Sequence, residues 1–235
     1  MSRLNLLSGG AAQGLVGSLA PAFTAQTGLE LSGEFGAVGA MAEKLRRGAP
    51  ADMVILTAAL VAELAKQELV VPTSVADVGR VETALAVRTG TPLITVYSVA
   101  DLRESLLAAD AIFVPDIKAS TAGIHVARVL DRLGIIDAVV ARLRIFPNGA
   151  TAMRELAKTD ARRAIGCTQS TEIIATDGVA WSCPLPKGYG LATMYTAAIT
   201  TTAAHAAQAR ELIDLLVDDK QYQTRKRAGF LTDQE

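Results

Sequence analysis

Short apolar runs alternate with segments of helical periodicity at the beginning of the chain. The runs predict three buried strands, at Leu4 to Ser8, Leu29 to Phe35 and Ala51 to Thr57. The periodic segments that follow them predict three helices, at residues 11–27, 40–47 and 58–67. Strands that alternate regularly with helices are typical of a parallel sheet with helices packed on its faces.

The first of these helices shows the pattern most clearly. Leu15, Leu19 and Phe23 recur at helical spacing, which predicts one apolar face. Pro21 interrupts the pattern and predicts a kink, because proline removes a backbone hydrogen-bond donor. Gly28 stands where a helix of this length is expected to end.

The alternation starts again in the second half of the chain. Further strands are predicted at Ala111 to Pro115, Leu143 to Phe146, Ala164 to Thr168 and Val179 to Cys183. Further helices are predicted at residues 121–133, 150–157, 204–217 and 219–228. Two extended segments, Thr83 to Arg88 and Leu191 to Thr201, belong to neither alternating block.

Two blocks joined by two extended segments predict a two-lobed α/β fold. We expect two parallel-rich sheets with helices on both faces, connected by two crossover segments. Residues 1–85 and 195–235 would form a discontinuous first lobe, and residues 86–194 the second lobe. A single doubly wound sheet is the alternative.

Composition and charge narrow the possible functions. Among 235 residues, 50% are hydrophobic and 20% are charged, which is typical of a packed globular protein. The net charge of −1 offers no basic surplus for nucleic acid, so no such partner is expected. No apolar run approaches the roughly 18 residues of a membrane helix, so no membrane insertion is expected. The sequence as written shows no signal peptide, which predicts a cytoplasmic location, or a periplasmic one if a signal peptide was removed.

The residues with catalytic or metal-binding chemistry form no known motif. Cys167 and Cys183 lack a zinc-binding spacing, and we expect both to be reduced and structural. His125 and His205 both fall inside predicted helices, and no nucleotide-binding or nucleophile-elbow motif is present. The sequence therefore predicts neither a metal nor a cofactor, and it identifies no catalytic residue.

Small and hydroxylic residues follow the predicted strands, directly before helices. In parallel α/β sheets, ligands bind beyond the carboxyl ends of the strands, where helix N-termini favour anions. We therefore predict a small anionic ligand. The predicted ligand-binding residues are Ser8, Gly9, Gly10, Ala37, Val38, Thr57, Ser120, Thr121, Asn148, Gly149, Gln169 and Ser170. The alternative is that Ser8, Ser120 and Ser170 are only helix caps or turn residues.

Two segments carry a resemblance to a known family. Phe35 to Ala42 together with Arg47 to Ile55, which contains Gly-Ala-Pro-Ala-Asp, resembles the periplasmic molybdate-binding proteins of ABC importers. The resemblance implies a two-lobed cleft with two crossover strands, and an ABC importer as partner if the protein is exported. The chain differs from the molybdate-binding pattern in two places. Loop 36–39 has no hydroxyl, and Gln169 stands where a tyrosine is often found.

A subset of this family has a Ser-Gly-Gly loop after the first strand and a glutamine on the later strand. The Ser8-Gly9-Gly10 loop and Gln169 resemble the subset that includes aconitate isomerase, which moves a double bond by an allylic proton shift. The resemblance therefore implies a second hypothesis, a cofactor-free isomerase of an unsaturated carboxylate. Candidate bases are Asp116, Glu34 and Glu172, and Lys118 is a candidate partner for a carboxylate. The first hypothesis remains a solute-binding protein for a small anion, a carboxylate in particular. A ligand-sensing domain is a weaker third.

Overall fold

The computed structural model describes residues 2–231, so residue 1 and residues 232–235 of the predicted first lobe lie outside the described residues. The strands are Arg3–Gly9 (β1), Glu30–Gly36 (β2), Met53–Thr57 (β3), Ala76–Arg88 (β4), Ala111–Pro115 (β5), Leu143–Phe146 (β6), Ala164–Gln169 (β7), Val179–Pro184 (β8) and Ala192–Ile199 (β9). The helices are Gln13–Thr27 (α1), Val38–Arg46 (α2), Ala58–Lys66 (α3), Val99–Ala108 (α4), Thr121–Arg132 (α5), Ile136–Val139 (α6), Gly149–Lys158 (α7), Ser170–Ile174 (α8), Ala206–Val217 (α9) and Tyr222–Arg227 (α10).

The chain forms two compact α/β units, as the two-lobed prediction requires. The first unit ends at Val81 and resumes at Thr193, and the second unit comprises Glu82–Ala192. Both breaks fall inside strands, so β4 and β9 are the two crossover segments. Whether each unit is a domain that folds by itself stays a prediction.

The sheet of the first unit places three loops at one edge. β1 lies between β2 and β3 and is parallel to both, whereas β9 runs antiparallel to β3. Gly9 is opposite Gly36, Ser8 is opposite Ile55, and Thr57 is opposite Tyr195. Because parallel strands end on the same side, the loops that follow β1, β2 and β3 emerge together.

Helix α1 packs as its periodicity predicts. Leu15, Leu19 and Phe23 are all buried in the core of the first unit. Gly28 ends the helix with a φ of 71°, a left-handed conformation that glycine adopts without a Cβ penalty.

A buried carboxylate links distant segments of the first unit. One oxygen of Asp52 accepts a hydrogen bond from the backbone N–H of Asn5 at 2.7 Å, and the other accepts from the N–H of His205 at 2.8 Å. The backbone carbonyl of Asp52 also accepts from the N–H of Thr200. Asp52 therefore fixes the start of β3 against both β1 and His205, the residue before α9.

The second unit has a mixed sheet of its own. β5 lies between β6 and β7 and is parallel to both, while β4 runs antiparallel to β7 and to β8. Every residue of β5 and β7 is buried, which explains why β5 is a continuous apolar run, whereas β7 ends in the buried polar residues Thr168 and Gln169. Helix α5 lies very close to the end of β5, because a Cβ at Gly123 would collide with the backbone carbonyl of Asp116.

Three helices were missed in the sequence, and two elements begin at least two residues earlier than predicted. Helix α4 starts with a capping box in which Ser98 and Asp101 satisfy each other's backbone N–H groups. The short helices α6 and α8 were also missed. β4 begins at Ala76 instead of Thr83, and α2 at Val38 instead of Ala40.

The two cysteines are free thiols on different strands. Cys167 on β7 and Cys183 on β8 both lie opposite Leu85, on either side of β4. Two strand spacings separate their backbones by about 9–10 Å, which is too far for a disulfide. Burial raises the pKa of the Cys167 thiol to about 12, so this group is not a reactive thiolate.

None of the helices within residues 2–231 has the length and apolar character needed to cross a membrane.

We expect the Asp52→Ala variant to lower the free energy of unfolding by about 3 kcal/mol, because two part-buried backbone N–H groups lose the buried carboxyl group that accepts from them. Asp52→Asn keeps one acceptor oxygen and should lose less. Urea unfolding measures both variants. The control is Asp160→Ala at an exposed position, where we expect a change within about 0.5 kcal/mol. An Asp52→Ala variant as stable as this control would contradict the role of the carboxylate.

Candidate functional site

In the first unit, three helical segments begin at the edge where the parallel strands end. A single 3₁₀ turn, Gly10–Ala12, follows β1 directly, α2 begins after Ala37, and α3 begins after Thr57. No side chain caps the first turn of any of these segments. The backbone N–H groups of uncapped helix starts lack intrahelical partners, and the helix dipole makes this end attractive to anions.

Close packing holds this edge together. A Cβ at Gly9 would lie 2.7 Å from Cγ1 of Val38 and 2.8 Å from Cε1 of Tyr195, so only glycine fits there without a shift. The structure thus brings together the predicted residues Gly9 and Val38, with Thr57 paired to Tyr195 on the neighbouring strand. The backbone of Gly9 can approach this corner because glycine has no side chain.

Tyr195 was not among the residues predicted from the sequence. It lies on β9 and is 2% exposed, at the corner formed by Gly9 and Val38. The extended segment Leu191 to Thr201 was recognised, but nothing in its pattern shows which strand it pairs with. Only the register of β9 against β3 places the tyrosine here.

Ser8 uses its hydroxyl locally. The side chain is fully buried, and Oγ donates a hydrogen bond to the backbone carbonyl of Gly9 at 2.9 Å. Among the candidate bases, Glu34 lies in an exposed ion pair with Lys44. The donors that this edge offers are therefore mainly backbone N–H groups.

In the second unit, an internal carboxyl group occupies the start of α7. Glu172 on α8 accepts a hydrogen bond from Oγ1 of Thr168 at 2.6 Å, and the backbone N–H groups of Gln169, Gly149 and Ala150 also donate to it. The side chain of Asn148 caps the same helix by accepting from the N–H of Thr151 at 2.8 Å. The structure thus brings Asn148, Gly149 and Gln169 together around Glu172.

Burial sets the protonation behaviour of Glu172. Removal from water raises the pKa of this carboxyl group above its ordinary value, although four hydrogen bonds to it oppose the shift. Of the three candidate bases it alone is buried. Asp116 closes a turn instead, because its Oδ1 accepts from the N–H groups of Lys118 and Ala119 at 2.7 and 3.0 Å.

The start of α5 lies at the same sheet edge as the end of β5. Ser120 is the N-cap residue, its side chain makes no capping hydrogen bond, and Thr121 begins the helix. The contact between Gly123 and the Asp116 carbonyl fixes this helix start against the strand. Ser170 begins α8 directly after Gln169, and both residues are buried. Lys118 is exposed in the turn between Asp116 and Ser120.

The histidines have structural surroundings. Nε2 of His125 lies 2.7 Å from the backbone carbonyl of Tyr189, and burial lowers the pKa of this half-buried imidazole. His205 contacts Asp52 through its backbone. Within the described part of the chain, no group of three or more His, Cys, Asp or Glu side chains is arranged to hold a metal ion.

Two α/β units joined by two crossing strands define the solute-binding-protein class of fold, and solved structures agree. The periplasmic molybdate-binding protein of Azotobacter vinelandii is similar with a TM-score of 0.80 and 20% identity, over 99% of this chain and 100% of that chain. The sulfate-binding protein SubI of Mycobacterium tuberculosis H37Rv has a TM-score of 0.76 and 18% identity, over 100% of this chain and 88% of that chain.

The chain belongs to the bacterial extracellular solute-binding protein family, whose sequence profile matches residues 4–231. It is also similar to an aconitate isomerase from a Pseudomonas species, with 26% identity over 227 residues, which cover 92% of this chain and 82% of that protein. The resemblance inferred from the sequence is thereby confirmed.

We expect Gly149→Ala to lower the free energy of unfolding by about 2 kcal/mol or more, because the new methyl group would collide with the buried Glu172 and Thr168 side chains. The matched control is Gly17→Ala in the middle of α1, where a Cβ meets nothing within 4 Å. This control should gain roughly 0.5–1 kcal/mol from helix propensity. Thermal and urea unfolding compare the two. Equal effects of the two substitutions would contradict the packing described here.

Proposed function

We propose that this protein is a solute-binding protein for a small anion, and that the anion is a carboxylate in preference to molybdate. The observation that carries the proposal is the set of uncapped helix starts that meet at one sheet edge in the first unit, in a chain of the solute-binding family. The titles of the two similar solved proteins name molybdate and sulfate, so anion binding recurs on this fold.

The available donors favour a carboxylate. Loop 36–39 has no hydroxyl, and the Ser8 hydroxyl donates to the backbone of Gly9. Backbone N–H groups at Val38 and Ala58 remain at the uncapped starts of α2 and α3. A carboxylate presents two oxygens in one plane, which two or three such donors satisfy. A tetrahedral oxyanion presents four oxygens and needs a larger set of donors.

In the second unit, the proposal assigns direct binding to the start of α5. Ser120 and Thr121 begin an uncapped helix of 12 residues, and Gln169 and Ser170 lie at the end of β7. The Gly149 N–H and the Asn148 side chain have internal partners in Glu172 and Thr151. That these two residues also touch the ligand stays a prediction, as does a single ligand in contact with both units.

The family supports one location and one transport partner for this protein. Its description is extracellular, which supports action outside the cytoplasm and an ABC importer as partner if the protein is exported. Both points belong to the proposal, and neither affects the ligand chemistry derived above.

The ligand is tested by calorimetric titration with citrate, cis-aconitate, sulfate and molybdate. We expect a carboxylate to bind and the Ala58→Pro variant to bind it about tenfold more weakly, because proline at the first helical position removes one N–H donor while the helix is kept. The matched control is Val99→Pro at the first position of α4, outside the proposed site, where affinity should not change. Tight binding of molybdate without any carboxylate would refute the carboxylate preference.

A second candidate function is isomerisation of an unsaturated carboxylate, and Glu172 favours it. The chain is similar to an aconitate isomerase, and Glu172 is a buried carboxyl group with a raised pKa beside Gln169. In an allylic shift, a base takes a proton from the carbon next to the double bond, the double bond moves by one position, and a proton is added at the far carbon. No oxidant or cofactor is needed.

This candidate predicts that cis-aconitate exchanges protons with heavy water in the presence of the protein, which NMR measures directly. Glu172→Gln should abolish exchange and still bind cis-aconitate, because glutamine keeps the shape but cannot act as a base. Glu63→Gln on the exposed face of α3 is the control and should exchange at the wild-type rate. Binding without exchange in the wild-type protein would rule out the isomerase and leave the solute-binding function intact.

A further inference from the structure

The second unit contains a pocket at the sheet edge opposite to the strand-end loops. Its volume is about 330 Å³, and it is lined by Ala109, two residues before β5, and by Ala164, the first residue of β7. The predicted ligand-binding residues of this unit follow the carboxyl ends of the same strands. The pocket is therefore distinct from the site described above.

The walls of the pocket are mainly apolar. Val87 and Ile165 form the part that belongs to the sheet, and Ala108 comes from the last turn of α4. Pro92 and Ile94 come from the segment between β4 and α4. A pocket of this volume lies at the small end of the range for ligand sites, which favours a short aliphatic chain over a larger ring system.

The rim of the pocket carries an excess of positive charge. Arg163 pairs with Asp110 at 2.8 Å, and Arg162 forms no ion pair within residues 2–231. Arg142 places a third guanidinium close by, because it donates to the backbone carbonyls of Leu107 and Ala109. Asp110 pairs with Arg163 and the Arg142 guanidinium donates to backbone carbonyls, so Arg162 is the pocket-lining guanidinium that remains available for a ligand anion.

Two hydroxyl groups add polar contacts inside the pocket. The exposed Thr95 and the half-buried Ser105 line it, and neither side chain has a hydrogen-bond partner among the described residues. The pocket combines an apolar wall, two hydroxyl groups and a guanidinium without an ion-pair partner. This combination suits an amphipathic molecule that has an apolar chain and one negatively charged group.

We propose that this pocket binds a small amphipathic monoanion, an aliphatic carboxylate of medium chain length. The chain lies against Ile94, Val87 and Ile165, and the carboxylate reaches Arg162 at the rim. This site does not depend on the function proposed above, because it uses none of the same residues.

The test is calorimetric titration of the full chain with octanoate as the probe. We expect octanoate to bind, and acetate and octanol to bind at least tenfold more weakly, since each lacks either the chain or the charge. Arg162→Ala should weaken octanoate binding about tenfold, the effect of one lost charge-assisted hydrogen bond. The control is Arg128→Ala, an exposed arginine on α5 away from the pocket, which should bind as wild type does.

A second variant tests the pocket by filling it. Ala108→Leu places a larger side chain at an exposed position in the last turn of α4, so it should remove octanoate binding without affecting folding. Absence of octanoate binding, equal binding of octanol, or unchanged binding in Ala108→Leu would each overturn the proposal. If binding is lost in Ala58→Pro and retained in Ala108→Leu, octanoate occupies the strand-end site, and only the present proposal fails.

Discussion

The first unit depends on one buried carboxylate. Asp52 directly precedes β3, and its two oxygens accept hydrogen bonds from the backbone N–H groups of Asn5 on β1 and of His205, the residue before α9. Thr200 strengthens the same junction, because its N–H and its hydroxyl donate to the carbonyls of Asp52 and Ala51. A buried carboxyl group is stable only when hydrogen bonds replace the water it has lost, so these contacts favour the observed arrangement of the three segments. That arrangement sets the register that brings the loops after β1, β2 and β3 to one edge.

Glu172 has a similar role in the second unit, where it accepts from backbone N–H groups at the start of α7. Helix starts in this protein are therefore of two kinds, those that donate to an internal side chain and those that do not. The start of α7 is satisfied by Glu172 and Asn148, and the residue before α9 donates to Asp52. The starts of α2, α3 and α5 have no side-chain cap. At the first kind of helix start, the protein's own side chains accept from the backbone N–H groups and hold the fold together. The second kind keeps backbone donors for an anion from outside, which is why the ligand proposal centres on these three helices.

Elements were predicted correctly from the sequence where adjacent residues alone define their bounds. They were missed where the element is too short to show a period or where its neighbours obscure its start. The strands β5 and β6 were predicted with their observed bounds, because apolar runs bounded by turn residues show their length directly. Helix α8 has only 5 residues, too few for a helical period to appear, yet it carries Ser170 and Glu172. Helix α4 follows a segment with exposed apolar side chains such as Leu93 and Tyr97, which obscured its start. The predicted ligand-binding residues at strand ends do lie at one sheet edge within each unit. Which of their donors have internal hydrogen-bond partners depends on the neighbouring residues in the fold.

The sequence by itself determined the alternation of strands and helices, the two crossover segments and the glycine-rich loops, because each follows from residue types that are adjacent or one helical turn apart. Only the tertiary structure decided that Tyr195 lies against Gly9 and that Ser8 turns its hydroxyl inward. It also decided that Glu172 takes the N–H groups of Gly149 and Ala150. These contacts join residues that are far apart in the chain or depend on side-chain direction, and no local pattern encodes them. The Gly-Ala-Pro-Ala-Asp segment illustrates both contributions. The sequence identifies the segment, and only the fold shows that its aspartate, Asp52, accepts hydrogen bonds from Asn5 and His205.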